Sequence, residues 1–166
     1  MKMHQPNEKW DRFYLGMAEY MSTASKDPST HVGSVLVNYH FQKEFLGYNG
    51  LPRGVQDLPE YLNNREFKYP MTVHAEVNAI RKAGDYAIGS TMYTIPSFDE
   101  PPICTPCCGL FINAQGKDIV GWTPHNNEEL LKRWGKSIAL AKKMCLDAGV
   151  TWRLYQKEGR QIILEV

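Results

Sequence analysis

No run in the 166-residue chain is long and apolar enough to read as a membrane span. Its start, MKMHQPNEKWDRF, meets polar residues too early for a secretory h-region, so a soluble, cytoplasmic protein is expected. An excess of one charge is missing too. Nineteen Lys and Arg against eighteen Asp and Glu leave a formal +1, so no global field draws the chain to nucleic acid or anionic lipid. Cysteine is scarce, four in all, and Cys104, Cys107 and Cys108 crowd into five residues. That is a poor disulfide framework and a good metal or redox cluster. Repeats and low-complexity stretches are absent. The apolar fraction of 43% fills one core, so residues 1–166 are expected to form a single domain.

From Asn7, an N-cap residue type, to about Thr23, Trp10, Phe13, Tyr14, Met17, Ala18 and Met21 recur at helical spacing. Lys26-Asp27-Pro28 ends that helix, because proline disfavours helical backbone in the residue before it. Residues 32–37 read as a buried strand and 44–48 as its antiparallel return. Residues 50–72, interrupted by Pro52, Pro59 and Pro70, make a connection longer than most, a length typical of functional loops. There follow a helix over 75–83 closed by Gly84, a central strand over 91–95 and a proline-rich segment, 96–102. A short helix over 107–114, a strand over 118–122, a long helix over 128–148 stopped at Gly149, and a strand over 150–155 complete the chain. Strands and helices alternating in this way predict an α/β fold, a three-layer α/β/α sandwich around a mixed central sheet.

His74 and Glu76 stand two residues apart, a spacing that on a regular helix sends two side chains to nearly opposite faces. They converge on one ion only if His74 precedes the first helical turn. Cys104 and Cys107, as C-x-x-C at the start of the next helix, would approach from the other side, bringing the partial positive charge of two helix N-termini to one metal. One imidazole and two thiolates leave a position open for water, which suits a catalytic zinc that brings that water to a pKa of about 7. A structural zinc knob is the rival from another class. It requires a fourth ligand, and the nearby Cys108, adjoining Cys107, would chelate the same ion awkwardly. Cys108 and Cys145 read instead as small buried apolar residues. His4, His31, His40 and His125 read as solvated or structural, with His31 also placed to line a pocket beside the strand at 32–37.

H-x-E followed by P-C-x-x-C is the signature of zinc-dependent nucleobase deaminases. Here it appears as His74-Ala75-Glu76 and Cys104-Thr105-Pro106-Cys107, with Ile103 in the proline's place. Ser25-Lys26-Asp27-Pro28, Val32-Gly33, the run from Gly47 to Gly54 and the run from His74 to Ile80 resemble, in order, successive blocks of the deoxycytidylate deaminases. The resemblance implies a cytidine-deaminase-like fold and the zinc-dependent hydrolysis of dCMP to dUMP and ammonia, supplying dUMP for thymidylate synthesis. It implies a homohexamer under dCTP and dTTP control, with Mg2+ accompanying the triphosphate. It makes His74, Cys104 and Cys107 the zinc ligands. Glu76 becomes the acid–base group that carries protons from water to the pyrimidine N3 and the departing amine. Asn49 would bond the deoxyribose, and the Ala75 N–H the ring carbonyl. The phosphate ligand stays open. Lys26 and Arg53 are candidates by charge, and solvation alone would also account for them, as a turn with Gly50 would for Asn49. Alternative substrates are cytidine, cytosine, a modified dCMP, or an adenine or guanine derivative. RNA editing would favour a basic face, which the sequence lacks. The segment 96–102 is longer than the family usually carries and leads straight into the site.

Overall fold

Successive side chains of a strand point to opposite faces, and the central strands use both. Val35 and Val37 enter one buried cluster with Tyr93 and Val120, while Leu36 enters another with Met92 and Ile119. A sheet apolar on both faces must be covered on both. The computed structural model describes residues 5–124 and 128–157, so His4 and His125 lie outside the described residues.

In chain order the elements are α1 (Glu8–Ser22), β1 (Gly33–Asn38), β2 (Lys43–Tyr48), α2 (Pro59–Asn63), α3 (Arg65–Met71), α4 (Ala75–Ala83), β3 (Thr91–Ile95), α5 (Thr105–Asn113), β4 (Asp118–Trp122), α6 (Glu128–Ala148) and β5 (Thr151–Tyr155). The sheet order is β2-β1-β3-β4-β5. β1 is antiparallel to β2 and to β3, with Val35 opposite Leu46 on one side and Tyr93 on the other, whereas β3, β4 and β5 run parallel. α1 covers one face through Tyr14, Leu15 and Ala18. α4, α5 and α6 cover the other through Ala79, Phe111 and Ala141. This is the three-layer sandwich with a mixed sheet that the pattern predicts. No helix among the described residues is long and apolar enough to cross a membrane.

Local chemistry fixes several of these elements. Asn7 caps α1, its side-chain oxygen accepting from the Trp10 N–H at 3.2 Å. Asp11 of α1 is wholly buried and accepts hydrogen bonds from the Tyr93 hydroxyl at 2.6 Å, Arg153 Nε at 2.9 Å and the Tyr155 hydroxyl at 2.8 Å. The first helix is thereby tied to β3 and β5. Gly47 lets β2 lie directly against α4: a Cβ there would stand 2.0 Å from the Ala75 carbonyl oxygen.

Residues 50–72 depart from the expected loop. The antiparallel bridge Gly50–Val73 closes their base, and α2 and α3 lie within. Pro59 begins α2, and the Asn64 side chain caps α3 by accepting from the Glu66 N–H at 3.0 Å. Helices of five and seven residues carry too few turns for a periodic signal, and Pro70 inside α3 hides the second. Lys68 pins α3 inward. It is 4% exposed and donates to Asp27 Oδ1 at 2.9 Å and Ser29 Oγ at 2.7 Å. Two smaller differences are a 3₁₀ turn over Gly84–Ala87 after α4 and the start of α5 at Thr105, two residues before the predicted boundary.

Candidate active site

α4 and α5 begin alike. His74 is the N-cap of α4 with extended backbone (φ −69°, ψ 154°), and Cys104 is the N-cap of α5 with nearly the same (φ −82°, ψ 159°). Each therefore points its side chain ahead of a helix rather than along it, which lets residues two and three positions on share the same space. His74 Nδ1 lies 3.4 Å from Cys104 Sγ and 3.3 Å from Cys107 Sγ, and the three donor atoms fall within 4.8 Å of one another. A tetrahedral zinc with ordinary Zn–N and Zn–S lengths separates those ligand types by about 3.6 Å, so this donor set fits such an ion. Among the described residues the cluster has three members. Cys108 turns away: its sulfur lies 3.4 Å from Cys145 Sγ and donates to the Ala141 carbonyl at 3.7 Å, inside the α5–α6 core.

Glu76, in the first turn of α4, is 6% exposed. Its Oε1 accepts from Thr94 Oγ1 at 3.1 Å, and Thr94 accepts in turn from Ser34 Oγ at 2.9 Å. Two hydroxyls on β3 and β1 thus orient the carboxylate. Oε2 lies 3.8 Å from Cys107 Sγ. Burial, and next the charge of Cys104, push the Glu76 carboxyl above the usual carboxylate range. Within the cluster, the hydrogen bond with Cys107 and then that with His74 hold the Cys104 thiol well below the usual thiol range, against the effect of burial. The same bond, and burial, push Cys107 up. His74 is raised by its bond to Cys104, against the effect of burial.

The cluster opens onto a cavity of about 360 Å³ whose walls include His74, Glu76 and Cys104. Asp27, Thr30, Val32 and Asn49 form one side, and Pro96, Phe98 and Pro102 bring the segment 96–102 to another. Tyr69 and Thr72 come from the α3 region and Arg133, Trp134 and Ile138 from α6. Asn49 is 3% exposed, accepting from the Val32 N–H at 2.8 Å and donating to the Thr30 carbonyl at 2.9 Å, so it shapes the wall it belongs to. Ala75 opens α4, wholly buried. Neither Lys26, Arg53 nor His31 lines the cavity. Lys26 is exposed and its amine is bound to Asp57 at 2.6 Å, a partner that charge near a motif did not reveal.

Sequence reasoning missed Thr94, Ser34, Lys68, Arg133 and Trp134. The two hydroxyls sit in buried strands, where a Ser or Thr following apolar alternation carries no separate signal. Arg133 and Trp134 fall within a long amphipathic pattern that reads as packing.

An imidazole and two thiols at the heads of two helices, with a carboxylate held beside them and a cavity in front, are a donor set that could hold a metal with one position left open. The model of the cytidine and deoxycytidylate deaminase zinc-binding region matches residues 8–123, and the chain belongs to that family. It is 36% identical over 146 residues to an uncharacterized deaminase in the luxG 3′ region of Aliivibrio fischeri, covering 87% of this chain and 93% of the relative. It is 30% identical over 165 residues to the deoxycytidylate deaminase of Mus musculus, covering 95% of this chain and 85% of that one. Among solved structures, the dCMP deaminase of cyanophage S-TIM5 in complex with dCMP and dUMP superposes with a TM-score of 0.65, covering 90% of this chain and 99% of that chain. At 20% identity that likeness is one of fold.

Proposed function

We propose that the protein hydrolyses dCMP to dUMP and ammonia, with His74, Cys104 and Cys107 holding zinc and Glu76 moving the protons. The observation that carries this reading is the convergence of three soft donors and one separate, buried carboxylate on a single cavity. The kinship with deoxycytidylate deaminases over most of the chain supports the substrate. Bound there, zinc would supply a Lewis acid that makes water acidic near neutral pH.

The chain's own groups do the rest. Glu76 takes a proton from water and gives it to the pyrimidine N3, so that the water oxygen adds at C4. It then carries the second proton to the exocyclic amine, which leaves as ammonia while C4 becomes a carbonyl. Its raised pKa runs in the direction needed by a group that must both take and return a proton. Thr94, held by Ser34, keeps one carboxylate oxygen in place while the other is left for this traffic. Asn49 and the Ala75 N–H are assigned to the deoxyribose and the ring carbonyl on the family resemblance. Replacing Glu76 by Gln keeps size and polarity but removes the base. Zinc content and the folded state are expected to persist while kcat on dCMP falls by about 10²-fold or more. Similar turnover in the two proteins, read by ammonia release, would defeat the mechanism.

On the family resemblance we further propose a homo-oligomeric cytoplasmic enzyme, a hexamer, with dCTP and dTTP as effectors and Mg2+ carried by the triphosphate.

A further inference from the structure

We propose that Arg133 and Trp134, consecutive residues of α6, form an anion subsite that takes the 5′-phosphate of the nucleotide. This rests on the deaminase reading above. Among the described residues Arg133 is the one Lys or Arg in the cavity wall, and it makes no ion pair. Its guanidinium carbon lies 5.1 Å from the ring centre of Tyr69 and 5.9 Å from that of Trp134. Two aromatic rings thus hold the group in place while its N–H fork has no carboxylate partner among the described residues, an arrangement suited to planar, bidentate recognition of phosphate. Trp134 provides an independent sign. Its indole N–H is buried without a hydrogen-bond partner among the described residues, and a buried donor with nothing to donate to is costly in a folded protein.

An exposed cation without an ion pair and a buried indole N–H without a partner, on consecutive residues that both line the cavity, suit one acceptor with several oxygens. The carboxylates of the same cavity do not oppose an anion as bare charges. Asp27 is neutralised by Lys68, and Glu76 is turned to Thr94 and the metal-ligand cluster. α6 is also fixed relative to that cluster. Ser137, one turn beyond Trp134, accepts at Oγ from the Thr105 N–H at 2.9 Å, next to Cys104, and Thr105 Oγ1 donates back to the Ser137 carbonyl. The distance from anion subsite to zinc ligands is thereby set by α6 packing on α5, and a ligand with an anionic group at one end and a reactive ring at the other would span it. A phosphomonoester of a nucleoside has that form.

The test uses the zinc-loaded full-length protein, Arg133→Gln and Trp134→Phe, each checked for zinc content and thermal melting. Turnover is measured on dCMP and on deoxycytidine, and binding on dUMP and on deoxyuridine by calorimetry. For Arg133→Gln the preference for dCMP over deoxycytidine in kcat/KM should fall by about 10²-fold, chiefly through KM, and dUMP affinity by a similar factor. Trp134→Phe, which keeps the ring and removes the donor, should lose about tenfold in both. Preferences and dUMP affinities within twofold of wild type in both variants would overturn the subsite. A wild type that deaminates no cytosine compound would sink the deaminase reading and leave the subsite to the binding arm. There, dUMP binding lost in Arg133→Gln upholds it, and wild-type binding that is absent or blind to the phosphate rejects it.

Discussion

At the scale of the residue, neighbouring cysteines have opposite fates. Cys107 faces His74 and Glu76, while Cys108, one position on, faces Cys145 across the α5–α6 interface. Cys104→Ser or Cys107→Ser is therefore expected to lose most of the bound zinc, and Cys108→Ser to retain about one ion per chain by metal analysis. Full zinc in Cys104→Ser would break the assignment of ligands. These positions were legible in sequence because H-x-E and C-x-x-C are local patterns whose chemistry depends on spacing alone. Glu76's partner was not, since Thr94 lies eighteen residues away and only the sheet brings it there. The cation of the cavity wall, Arg133, was not legible for a related reason. Lys26 and Arg53 sit beside recognisable blocks, but a charge beside a motif says nothing of its nearest carboxylate, and for Lys26 that is Asp57.

At the scale of the element, α3 is held by one buried ion pair. Lys68 and Asp27 leave 6% and 9% of their side chains exposed, and forty-one residues separate them. Burial alone would raise the Asp27 pKa, but hydrogen bonds from the Ser29 N–H, Lys68, the Thr30 N–H and the Ser29 hydroxyl together hold it below the ordinary value. A carboxylate whose folded pKa lies below its unfolded one contributes stability in full above about pH 4, the unfolded range, and loses it as pH falls through the folded value. Lys68→Met should cost about 3 kcal/mol in urea unfolding at neutral pH, because it strands a buried carboxylate, and should shrink the part of the stability lost on acidification, because without Lys68 the folded Asp27 pKa rises toward its unfolded value. An unchanged pH profile in that variant would refute the role of the pair. Of this arrangement the sequence showed only a long segment with prolines. Two short helices give no period to read, and an ion pair between distant residues gives none either. The longer elements were legible because α1 and α6 repeat their apolar positions over several turns, and β1 and β3 are buried throughout.

At the scale of the whole molecule, the outer layer leaves large apolar side chains bare: Leu110 of α5 is 45% exposed, and Leu140 and Leu146 of α6 are 55% and 66%. Surfaces of this kind favour association between copies. Light scattering at working concentration is expected to give a mass several times 19.0 kDa, and a monomer there would refute the oligomer. Addition of dCTP or dTTP with Mg2+ should then change the activity of the assembled form.

The two halves of the metal cluster have a consequence for the chain as a polymer. His74 lies thirty residues before Cys104 and thirty-three before Cys107, and the intervening stretch includes β3, the middle strand of the sheet. An ion gripping both halves is a cross-link closing a loop around that strand. On a chain-entropy scale such a closure removes about 3–4 kcal/mol of freedom from the unfolded ensemble. Unlike a disulfide, this clasp is set by mass action, so that each tenfold rise in free zinc above its dissociation constant widens the folding margin by about 1.4 kcal/mol. Catalysis and the integrity of the sheet would then rise and fall with the same ion.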